Sequence, residues 1–139
     1  MTTYSEYIDL KTKGEVEIVD LTQEVEGVIR RSGLQGGIAC VFSPSSTSAI
    51  TTIEYEPGLL QDLPRALERL YPKDIRYEHE EMWHDGNGHS HVRAAFIGPS
   101  FSVPFQEGRP VLGTWQQVVF VELDNKPRHR RVLVQLSGE

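Results

Sequence analysis

Apolar and polar residues alternate near both ends of the chain, and between them apolar positions recur every three or four residues. Residues 4–11 alternate loosely and predict a strand. Gly14 marks a turn, and Glu15-Val16-Glu17-Ile18-Val19 then alternates, as the second arm of a hairpin with one wet face would. Asp20 and Gln23 are spaced as a helix start with Asp20 as the cap. Leu21, Val25, Val28 and Ile29 follow at helical spacing, and Gly33 after Arg30-Arg31 stops the helix.

Residues 38–42 form a nearly continuous apolar run, the pattern of a central strand buried on both faces. Ser43-Pro44-Ser45-Ser46 breaks it, and the β-branched stretch 47–55 predicts the next strand. Leu59, Leu60, Leu63, Ala66, Leu67 and Leu70 make a helical stripe. Either Pro57 opens that helix and Pro64 kinks it, or Pro64 takes the first helical position; the second is preferred here. Residues 73–88 are polar and aromatic, too long for a tight turn, and read as a functional loop. Val92, Ala95 and Phe96, followed by Gly98-Pro99, predict another helix, capped by Asn87 or Asp85. Phe101, Val103 and Phe105 alternate around Pro104, an edge or irregular strand. Residues 112–123 read as one long strand, apolar on both faces, covered once by its own core and once by another subunit. Residues 131–136 form the last strand. The expected fold class is α+β: a single domain of mostly antiparallel sheet with two or three helices.

Composition narrows the function classes. At 139 residues, 38% hydrophobic, the chain can build one modest core. A net charge of −6 argues against sequence-independent nucleic-acid binding, which needs a basic footprint, though Arg128, Arg130 and Arg131 make a local basic patch. No signal peptide, membrane-length apolar run or cysteine pair is visible, so a cytoplasmic protein is expected, with Cys40 a buried structural thiol.

The chemistry-bearing residues concentrate between positions 79 and 131, which hold all five histidines. His79, His84, His89 and His91 gather on or beside the 73–88 loop, and three imidazoles with a carboxylate or water would suit zinc. His79 and His84 are one residue too far apart for a zinc-protease helix. His89 and His91 share a face if their segment is extended and oppose each other if it is helical. Asp85 and Asn87 read as turn formers and caps, or as ligand, base or anchor. Glu54, at a strand end, can orient a histidine or act as a general base. Arg128 and Arg130 share one face of an extended chain and can fork a phosphate, or pair with the protein's own carboxylates.

Four blocks together carry a resemblance: Ser46-Thr47-Ser48-Ala49-Ile50 through Glu54 and Gly58 to Asp62, His79 through Asn87 to His91, Leu112-Gly113-Thr114-Trp115-Gln116, and Asp124 through Pro127-Arg128 to Arg130. Their order resembles the YjbQ family. That resemblance implies a two-sheet β-sandwich with helices, assembled as a homotrimer with its motif residues near subunit contacts. It also implies thiamine-phosphate synthase activity as a side reaction on a phosphorylated small molecule, with a divalent metal held by histidines. Carried onto this chain, the catalytic set is Glu54, Asp85 and Asn87. The substrate set is Thr47, Gln116, Arg128 and Arg130, and the metal set is His79, His89 and His91. Many relatives have a histidine where Ser45 stands here, and His89 is the substitute this chain offers. The rival expectation is a non-catalytic metal- or ligand-binding trimer.

Overall fold

The computed structural model describes residues 1–139. In chain order the elements are β1 (Thr2–Lys11), β2 (Glu17–Asp20), α1 (Thr22–Ser32), β3 (Gly37–Phe42), β4 (Ser48–Ile53) and α2 (Pro57–Leu70). Then come α3 (Glu78–Trp83), α4 (Gly88–Ile97), β5 (Ser100–Gln106), β6 (Arg109–Pro110), β7 (Gln117–Glu122) and β8 (His129–Gly138). Two antiparallel sheets lie face to face, one of order β1-β8-β3-β5-β6 and one of order β2-β7-β4. This is the expected α+β sandwich, with four helices rather than two or three. No helix is long and apolar enough to cross a membrane.

The strands are where alternation placed them, but their partners differ. β1 and β2 do not form a hairpin: β1 pairs with β8 and β2 with β7, in different sheets. The first core fills the space between the sheets and under α1, from Leu21, Val25 and Ile29 to Val118, Phe120, Val134 and Leu136. A second core lies on the other face of the small sheet, where Ala49, Val119, Val121 and Leu123 meet Leu67 of α2 and Ala94 of α4. The doubly apolar β7 is therefore covered on both faces within one chain, not by a second subunit. It is also shorter than expected, because residues 113–116 form a turn in which Gln116 Oε1 accepts from the Gly113 N–H at 3.0 Å.

β3 corrects the sequence reading in the opposite sense. It is central in its sheet, yet only its inner face is covered: Ala39 and Val41 are fully buried, whereas Ile38 is 52% and Phe42 38% exposed. Cys40, on the same outer face, is half-buried. At the far end of β3, Gly37 pairs with Gly138 of β8. A Cβ at Gly37 would collide with the Ser137 carbonyl, and one at Gly138 with the Gly36 carbonyl, so the strands cross where only hydrogen fits.

α2 begins at Pro57, not Pro64. Glu56 is the N-cap, and its carboxylate accepts from the Gly58 and Leu59 N–H groups at 2.8 and 2.5 Å. Pro57 needs no N–H in the first turn, while Pro64 is tolerated inside the helix. The stretch 73–88, read as loop, contains α3, a short helix with no buried residue and His84 in the left-handed conformation after it.

Candidate functional site

Three connections converge at one end of the small sheet, where Ser48 of β4 faces Glu122 of β7. They are the β3–β4 loop, the β7–β8 turn and the α3–α4 loop. The last is shaped by Glu80, whose carboxylate accepts from the Gly86 and Gly88 N–H groups at 2.8 and 3.0 Å. Asp85 Oδ1 accepts from the Asn87 N–H at 3.0 Å. Asn87 does not cap α4 with its side chain. Its amide instead donates to Asp124 Oδ1 at 3.3 Å and accepts from Ser90 Oγ and the Asn125 N–H, which ties the start of α4 to the β7–β8 turn. Asn125 in turn donates to the Asp85 carbonyl at 2.9 Å, while its own Oδ1 is buried without a partner.

This frame brings His79 of α3, Asp85 and His91 of α4 together, with potential ligand atoms all within 4.8 Å of one another. His79 Nε2 and Asp85 Oδ1 are 3.1 Å apart, and the rings of His79 and His91 are tilted, 4.4 Å between centroids. Burial and the neighbouring His79 hold the His91 imidazole below its usual value, against Asp85, Asp124 and a backbone hydrogen bond to Ser46. Burial pushes the Asp85 carboxyl up, but the Asn87 N–H and His79 outweigh it, and the group ends below its ordinary value. The arrangement at pH 7 thus favours a neutral His91 and an ionised Asp85.

Two imidazoles and a carboxylate suit a divalent cation such as zinc with an open coordination position. The Ser46 backbone, beside His91 in one cleft, favours the protonated form of that ring but is outweighed by burial and His79. Beside His91 lies a cleft of about 210 Å³ lined by Ser45, Ser46, Ser48, Ala94, Ala95 and Pro99.

His89 lies outside this group. α4 is helical from Gly88, so residues two apart point away from each other. The His89 ring is 1% exposed and bonds Glu15 Oε2 at 2.9 Å, with Lys73 on the other oxygen at 3.2 Å.

The remaining expected residues divide between two ends of the sheet. Arg128 is at the histidine end, 43% exposed, and pairs with Asp124 at 3.0 Å. Arg130 is turned inward: its guanidinium forks onto the fully buried Glu122 at 2.9 and 2.6 Å. It also donates to Ser45 Oγ and Thr47 Oγ1 at 2.8 and 3.0 Å. Thr47 is buried as well and donates to Asp124 Oδ2 at 3.0 Å. Neither Arg130 nor Thr47 has an open face for a substrate, because the protein's own carboxylates take the role expected for a ligand. Glu54 and Gln116 are at the opposite end of β4, where Gln116 donates to Thr52 Oγ1 at 3.1 Å and Glu54 is exposed. The length of β4 separates them from His91 by roughly 17 Å.

Spacing and residue type alone do not mark Asp124 and Glu80 as parts of this frame, and Glu122 looks at first like one more strand residue. Glu122 carries a signal all the same: one carboxylate in the run Val118-Val119-Phe120-Val121-Glu122-Leu123 calls for a buried cation beside it.

A family model described as "UPF0047 protein YjbQ-like" matches residues 6–139. A UPF0047 protein of Methanothermobacter thermautotrophicus is 43% identical over 139 residues, all of this chain and 95% of the relative. The UPF0047 protein YugU of Bacillus subtilis is 34% identical over 133 residues, 94% of this chain and 97% of its own. Among solved structures, a YbjQ-like protein of unknown function from Sulfolobus solfataricus superposes with a TM-score of 0.94 at 34% identity, covering 99% of both chains. A hypothetical protein from Aeropyrum pernix gives a TM-score of 0.91 at 32% identity, covering 98% of this chain and 99% of its own. With sequence and fold in agreement over nearly the whole length, this chain belongs to the YjbQ-like UPF0047 family.

Proposed function

We propose that this protein is a cytoplasmic homotrimeric enzyme that acts on a phosphorylated small molecule at a divalent-metal site formed by His79, Asp85 and His91. The observation that carries the reading is the grouping of two imidazoles and a carboxylate within 4.8 Å, with the Asp85 loop and the start of α4 tied to the β7–β8 turn by hydrogen bonds. A metal there supplies charge to offset a leaving phosphate or pyrophosphate. Arg128, half exposed at the rim, holds the anionic group at the cost of its contact with Asp124. Thiamine-phosphate synthesis is the activity to test first, as a side reaction if the native substrate differs. Asp85 serves as a ligand in this scheme rather than as a base, and Asn87 as the brace between α4 and Asp124.

One feature of the large sheet favours an assembly. Ile38 and Phe42 leave the outer face of the large sheet partly apolar, and such a face is commonly covered in an assembly. Glu54 and Gln116 can reach a histidine cluster only if it belongs to a neighbouring subunit, in which case Glu54 handles protons there.

The test is purified protein with zinc, the pyrimidine pyrophosphate and the thiazole phosphate, compared with His91→Ala. The expected loss in rate is at least 100-fold, with zinc affinity falling in parallel. Equal rates and equal zinc affinity in the two proteins would reject the site.

A further inference from the structure

We infer that Arg130 is a positioning residue: through the buried Glu122–Arg130 pair it sets the orientation of His91. The inference rests on His91 being a metal ligand in the reading above. Arg130 Nε and Nη2 bond the two oxygens of Glu122, whose side chain is fully buried. Glu122 is held from its other side by Thr12 Oγ1 at 2.6 Å and by the Asp124 N–H at 3.2 Å. The guanidinium therefore has a fixed base, and what it touches on its outer edge is fixed with it.

That outer edge grips the β3–β4 loop at two points, Ser45 Oγ by Nη1 and Thr47 Oγ1 by Nη2. The residue between them is Ser46, which lines the same cleft as His91 and lies beside its ring. Thr47 passes the constraint on to Asp124 Oδ2, and Asp124 Oδ1 receives the Asn87 amide at the start of α4. Arg130 thus braces the loop that lies against the His91 ring, at Ser46, and the helix that carries that ring, through Asp124 and Asn87. A lysine has the charge but not the planar fork. It can keep an ion pair with Glu122 while losing one or both loop contacts. Partners that orient a metal ligand are typically worth 10–100-fold in metal affinity.

The experiment pairs zinc affinity by competition with a chromogenic chelator and the His91 tautomer read from ¹⁵N shifts of the metal-free protein at a fixed neutral pH. Both are measured in wild type, Arg130→Lys and Ser45→Ala. Ser45→Ala leaves the Glu122–Arg130 pair intact and so reports even if Arg130→Lys fails to fold. In wild type, one His91 tautomer is expected. Arg130→Lys is expected to give averaged tautomer shifts and a 10–100-fold weaker zinc Kd, and Ser45→Ala a smaller change of the same sign. Wild-type tautomer and wild-type Kd in the folded variants would overturn the role of Arg130. If wild type itself fails to bind zinc, the metal reading fails, and the tautomer comparison still decides whether Arg130 positions His91.

Discussion

Asp124 shows how much one side chain can organise. It is 1% exposed and touches Arg128, Asn87, Thr47 and the Lys126 N–H. Burial alone would raise its carboxyl, but those partners reverse the effect and hold it below the ordinary aspartate value. A depressed folded-state value means that the native state binds fewer protons than the unfolded chain. The stabilisation is complete above about pH 4 and is lost as pH falls through the folded value. Asp124→Asn is expected to cost about 1–3 kcal/mol at neutral pH and to flatten the acid limb of stability. Urea unfolding of both proteins from neutral to acidic pH checks this, and parallel curves would assign the acid limb to other carboxylates. At this scale the sequence was legible for side chains whose neighbours are local and illegible where the partner is distant. Two adjacent-looking arginines, Arg128 and Arg130, part company because only one of them finds Glu122. His89 and His91 separate because Gly88 opens a helix rather than an extended segment.

Helices declare themselves by their apolar stripe, and the helix without a stripe is the one that the sequence does not show. α3 carries Glu78-His79-Glu80-Glu81-Met82-Trp83, buries nothing, and has no periodicity to find. It forms because its acidic first turn suits a helix N-terminus and because Glu80 is needed to accept from Gly86 and Gly88. The sequence favours Pro64 over Pro57 as the first residue of α2 because a proline inside a helix is costly and a glutamate is a weak signal for a cap. Glu56 nevertheless satisfies two N–H groups at once. Glu56→Ala is expected to destabilise the protein by about 1 kcal/mol, read as a lower urea midpoint with an unchanged slope. No change in midpoint would mean that packing of the leucine stripe alone sets the first turn.

For the whole molecule, the period of each strand was in the sequence but its partner was not. Alternation reports which residues share a face, and nothing in it says that β1 should find β8 across the length of the chain. The same limit hid the two-ended distribution of Glu54 and His91, since residues of one motif set can sit at opposite ends of a sheet. If the outer face of the large sheet is where copies meet, Phe42→Lys places a charge in that contact. Sedimentation equilibrium should then shift from trimer to monomer while the circular dichroism spectrum is kept. A monomeric wild type, or a trimeric variant, would place the contact elsewhere.

The crossing of Gly37 with Gly138 has a consequence for that face. Sliding β3 along β8 by one residue would bring Ile38 or Ser137 into a gap with room for a hydrogen atom alone. The same slip would turn Ala39 and Val41 outward and bury Ile38, Cys40 and Phe42. Two residues with no side chain therefore act as a stop on the strand, and they decide which of its surfaces the outside world meets.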